Sequence, residues 1–85
     1  MATTKDDIRG WLDQAKARGA SHLLVVCDTF DHADYPVFAE TPQIALDRYD
    51  APGEMQRVME VYDLALNVEF QLSERRALHL PPRAG

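Results

Sequence analysis

Between Cys27 and Tyr35 the chain reads Cys-Asp-Thr-Phe-Asp-His-Ala-Asp-Tyr. The carboxylates of Asp28, Asp31 and Asp34 and the His32 imidazole fall within one short stretch. Hard oxygen donors with a single nitrogen suit a divalent ion such as Mg²⁺ or Mn²⁺. An ion held there would activate water, as in phosphoester hydrolysis. The spacing matches neither a calcium loop nor a tetrahedral zinc pattern. Aspartate is also a turn former, because its carboxylate bonds its own backbone. The same residues, with Tyr35, therefore read as an acidic hairpin loop offering a binding surface. Metal ligation by Asp28, Asp31, His32 and Asp34 is the narrower alternative.

Other reactive side chains are weaker candidates. Cys27 would need His22 or His32 as a base, yet it sits in an apolar run beside Asp28, which disfavours a thiolate. Arg75, Arg76 and Arg83 form a small basic end suited to a helix C-terminus or an acidic group. No glycine-rich phosphate loop, Gly-x-Ser-x-Gly elbow or His-Glu-x-x-His motif is present. No cofactor is expected beyond the divalent metal alternative.

Charge placement narrows the partners. The net charge of the 85 residues is −5, and residues 27–50 alone carry −5, against +1 before them and −1 after. Duplex DNA and anionic membranes need a basic footprint and are not expected partners. The balance leaves room for metal cations, a basic protein surface or mimicry of nucleic acid, and a small signalling molecule could be held at a subunit seam. One cysteine cannot form an internal disulfide, no apolar run approaches a membrane span, and the polar start is unlike a signal peptide. These features predict a cytoplasmic protein.

The elements that would position the loop follow from periodicity. Thr3 or Thr4 caps a first helix, in which Ile8, Trp11, Leu12 and Ala15 form one apolar stripe and Gly19 is the stop. Gly10, inside that helix, predicts close packing against another backbone. His22 to Phe30 reads as a strand. Its run Leu23 to Cys27 does not alternate, so both faces should be covered. Tyr35 to Glu40 reads as its hairpin partner, with Pro36 putting it at an edge or marking its first residue. Thr41-Pro42 starts a short helix, and Asp50 to Gly53 breaks it.

Met55, Val58, Met59, Tyr62, Ala65, Leu66 and Phe70 then follow helical spacing. They predict one long helix from Glu54 to Leu78, ~37 Å from end to end. Its apolar face is wider than a hairpin can cover. The expected fold class is α+β, in the order α-β-β-α-α, with helices on one face of an antiparallel hairpin. A single domain would span 1–80, with a flexible tail at 81–85. A two-stranded hairpin is marginal alone, so these features predict a homodimer. Its seam would draw on Leu23, Val25, Cys27, Met55, Met59, Tyr62 and Leu66, through paired strands or paired helices.

The stretch Leu24-Val25-Val26-Cys27-Asp28-Thr29-Phe30-Asp31, continuing to Asp34-Tyr35-Pro36-Val37, resembles a family of small uncharacterised proteins of bacteria and bacteriophages. Met55-Gln56-Arg57-Val58-Met59-Glu60-Val61-Tyr62-Asp63-Leu64 resembles the same family. The family has no established activity and no known functional residues. What the resemblance implies is a context, a phage or prophage accessory protein that blocks or sequesters a host defence component. The leading expectation is thus a non-enzymatic binding or regulatory homodimer, acting through the acidic loop or a pocket at the dimer seam. A small metal-dependent hydrolase and a structural assembly subunit are the alternatives.

Overall fold

A computed structural model describes residues 3–82. Helix α1 (Lys5–Ala17) begins at a reciprocal cap. The Asp7 amide donates to Thr4 Oγ1 (3.1 Å) and the Thr4 amide to Asp7 Oδ2 (3.0 Å). Strand β1 (His22–Asp28) and strand β2 (Asp34–Ala39) form the expected antiparallel hairpin. Thr41 caps helix α2 (Pro42–Asp50).

The expected long helix is absent. Gln56–Asp63 is a strand, β3, and only Val68–Ser73 is helical, as α3. The sheet has three antiparallel strands in the order β2-β1-β3. A bulge explains the misreading. Val25 pairs with Glu60, but Val26 pairs with Val58, so Met59 is an extra residue in β3. The bulge lets Val58 and Val61 share one face and Met59 and Tyr62 the other. Three-residue spacing within each face imitates a helix. The chain then turns at Asp63, whose Oδ1 accepts from the Ala65 amide (2.9 Å), and restarts at Asn67, the cap of α3. Gln71, fully buried, fixes that turn: Oε1 accepts from the Asp63 amide (2.7 Å) and Nε2 donates to the Asp63 carbonyl (2.9 Å).

Helices cover both faces of the sheet, not one. Leu23, Val25 and Tyr62 pack under α1 and α3 with Ile8, Leu12, Ala15 and Leu72. Leu24, Val26, Val58 and Val61 pack with Ala39 and with Ala45 of α2. The non-alternating strand is therefore buried on both sides within one chain, and both of its edges are occupied. Pairing of β1 across a two-fold axis has no free edge to use. Residues 77–79 run beside β3: the Val61 amide donates to the Ala77 carbonyl and the His79 amide to the Val61 carbonyl, both 2.9 Å. Gly10 packs against no backbone; a Cβ there meets nothing within 4 Å. Of the tail expected at 81–85, Pro81 is buried, Pro82 is exposed, and 83–85 lie outside the described residues.

His22 is buried at the start of β1, with Ser21 Oγ 2.8 Å from Nδ1 and Asp63 Oδ2 3.7 Å from Nε2. Burial pushes its pKa below the ordinary 6.5, with the Asp63 charge opposing. As pH falls through about 6.5 the unfolded chain takes up a proton that the folded chain refuses. The unfolded state then binds more protons, so stability falls on acidification, by up to ~1.4 kcal/mol per pH unit for this one group. Urea unfolding followed over the range from pH ~7 to ~5 is expected to depend less steeply on pH in His22→Gln than in the wild type. Equal slopes would show that His22 protonates as freely as in an unfolded chain.

Candidate functional site at the acidic end of the sheet

The loop between β1 and β2 is built from aspartates bonding to backbone. Asp28 Oδ1 accepts from the Phe30 amide (2.8 Å), and Asp31 Oδ1 accepts from the Ala33 amide (3.0 Å). The Asp28 amide donates to the Ala33 carbonyl (2.9 Å), and the His32 amide to the Asp28 carbonyl (2.7 Å). His32 closes the loop in the left-handed region, at φ 60°. The segment leading into β3 lies alongside, because the Thr29 amide donates to the Met55 carbonyl (2.9 Å).

These bonds present side chains outward. Phe30 is 78% exposed at the loop and Met55 is 51% exposed at the same end of the sheet. Asp31, Glu54 and His32 are also exposed, Asp28 and Asp34 half-buried. Arg57 faces Cys27 in the register, and Arg75 and Arg76 line a hollow with Asp34. The end of the sheet is therefore an apolar pair set among carboxylates. An isolated exposed apolar residue is ordinary, whereas exposed apolar residues gathered at one end and rimmed by charge are a candidate contact surface.

The metal reading finds no support in the geometry. Among the described residues, no group of three or more His, Cys, Asp or Glu side chains is placed to hold an ion. Asp28 and Asp31 each give an oxygen to the loop backbone, as the turn-former reading expects. Cys27 is no better as a nucleophile. Burial, then the Asp34 carboxylate, push its thiol pKa up, away from the thiolate. Tyr35 is half-buried and packs at the margin of the core beside Val37 and Tyr49, not in the loop.

The residues expected at a subunit seam are scattered. Leu23, Val25 and Tyr62 lie inside the chain's own core and Met59 packs against it. Cys27 is half-buried. Met55 and Leu66 are exposed at opposite ends of β3. Sequence reasoning missed Phe30 and Glu54 as parts of the site. Phe30 is the last residue of the expected strand and reads as part of it; the polar pair Asp28-Thr29 before it is the one hint otherwise.

Met55 carries a further mark. Its φ is 58°, in the left-handed region that costs an L-residue roughly 1–2 kcal/mol. A half-exposed side chain returns little of that to the fold, and such strain gathers at functional positions. Glycine at 55 relieves the clash but loosens the unfolded chain. Met55→Gly is thus expected to gain about 0.5–1 kcal/mol, read as a Tm several degrees higher. A lower Tm would show that the fold itself needs the methionine.

No protein-family model matches the chain, and neither a curated protein nor a solved structure does. No helix among the described residues is long and apolar enough to cross a membrane.

Proposed function

We propose that the chain is a small non-enzymatic binding protein that docks the acidic end of its sheet on a basic surface of another protein and masks that surface. The observation that carries the reading is Phe30, 78% exposed and fixed in place by the Asp28 turn. An aromatic anchor surrounded by like charges fits a partner with an apolar notch set in cationic surroundings. The concentration of net charge −5 in residues 27–50 supports the same partner class. A surface that binds nucleic acid has this chemistry, so occlusion of such a surface follows naturally.

Affinity capture from cell extract with the wild-type chain and with the double variant Asp31→Asn, Asp34→Asn tests this. Asparagine at 31 keeps an oxygen for the Ala33 amide, so the loop survives while charge is lost. The expected result is a basic partner retained by the wild type, released by moderate salt, and depleted with the variant. A partner held equally by both, independent of salt, would overturn the reading.

A further inference from the structure

The opposite end of the sheet holds a cleft of about 570 Å³, bounded by Ser21, His22, Pro42, Asp63, Leu64 and Pro81 among others. That volume falls within the range of small-molecule sites, and the walls are chiefly apolar. The β1–β3 register sets His22 opposite Asp63. His22 is only 3% exposed, and its Nε2 has no hydrogen-bond partner, lying 3.7 Å from Asp63 Oδ2. On its other side, Nδ1 lies 2.8 Å from the Ser21 hydroxyl, which also lies 3.4 Å from the Ala39 carbonyl. Burial disfavours the charged imidazole, so His22 is a poor counter-ion for Asp63.

Asp63 Oδ1 is occupied by the Ala65 amide, but the side chain keeps 22% of its surface open. No lysine or arginine among the described residues pairs with it. A partly buried carboxylate beside apolar walls, with no cation of its own, is the polar half of a recognition site. From this juxtaposition we infer that the cleft binds a compact apolar amine, its ammonium on Asp63 and its body against Leu64, Pro42 and Pro81. The site lies at the far end of the sheet from Phe30 and stands or falls independently of the protein contact there.

Titration with phenethylamine, followed by amide shifts in NMR spectra, tests the site, with 2-phenylethanol as the uncharged counterpart. The expected result is movement of the Ser21, Leu64 and Ala65 amides, with millimolar affinity for the amine. The alcohol is expected to bind about tenfold more weakly, the size of one charge-assisted hydrogen bond. Asp63→Asn keeps an oxygen for the Ala65 amide and is expected to lose the same factor, its spectrum confirming a folded chain. Equal binding of amine and alcohol, or no movement at these amides, overturns the inference. Binding that emerges only in an Arg83→Ala variant also overturns it, because the chain's own arginine would then be the occupant.

Discussion

Tyr62→Ala is expected to remove about 4 kcal/mol of stability, most of what a domain of this size has. Tyr62 has no accessible surface and sits in the core between α1, α3 and Leu23, its partner across the sheet. Removing a buried ring of this size leaves a cavity that the neighbouring backbone cannot close. Its hydroxyl donates to Glu60 Oε2 (3.1 Å), and the same oxygen accepts from the Ala77 amide (3.0 Å). Burial, with the Glu60 charge, pushes the phenol pKa well above its ordinary 10, so the hydroxyl stays a donor. Tyr62→Phe keeps the ring and loses that bond, and is expected to cost about 1 kcal/mol. Leu66 is the control: a long helix would place it on the same face as Tyr62, but in this fold it is 55% exposed. Leu66→Ala is expected to change stability by less than about 0.5 kcal/mol. Urea unfolding followed by circular dichroism separates the three. Comparable losses at 62 and 66 would contradict the strand.

The second large effect concerns binding. Phe30→Ser is expected to weaken the complex with the basic partner by about 2 kcal/mol, roughly thirtyfold in Kd. The side chain is mostly in water in the free protein, so its removal leaves no cavity and the fold is expected to be unaffected. The Phe30 amide that Asp28 holds is kept by serine, so the loop is kept as well. The loss should appear mainly as faster dissociation, whereas the charge variant at 31 and 34 should slow association. Surface plasmon resonance with the purified partner reads both rates. An unchanged Kd for Phe30→Ser would remove the anchor from the proposal.

Much of the architecture was legible because local signals agreed with it. The Thr4 cap, the Thr41-Pro42 start and the unbroken Leu23 to Cys27 run each name a local conformation that the structure keeps. The third strand was not legible, because the bulge at Met59 replaces alternation by three-residue spacing. The cues against a helix were polar ones, Asp63 and Asn67, which cap turns inside the supposed helix. With that strand restored, Val58, Val61, Tyr62 and Leu72 become core, while Met55, Leu66 and Phe70 stay exposed. The acidic loop was legible as a turn. Its carboxylates could not be assigned from spacing alone, since ligating a metal and bonding a backbone amide call for the same residues. The His22–Asp63 cleft was illegible, since its two polar residues meet only through the β1–β3 register.

Hydrogen exchange on the protein with its captured partner bound tests the protein-contact proposal most directly. Protection is expected to concentrate in residues 28–34 and 54–57, the segments that share the acidic end of the sheet. Exchange in α1 and around residues 63–66 is expected to stay as in the free chain. Protection confined to α1, α3 or the cleft, with Phe30 and Met55 exchanging unchanged, would contradict a contact at the acidic end.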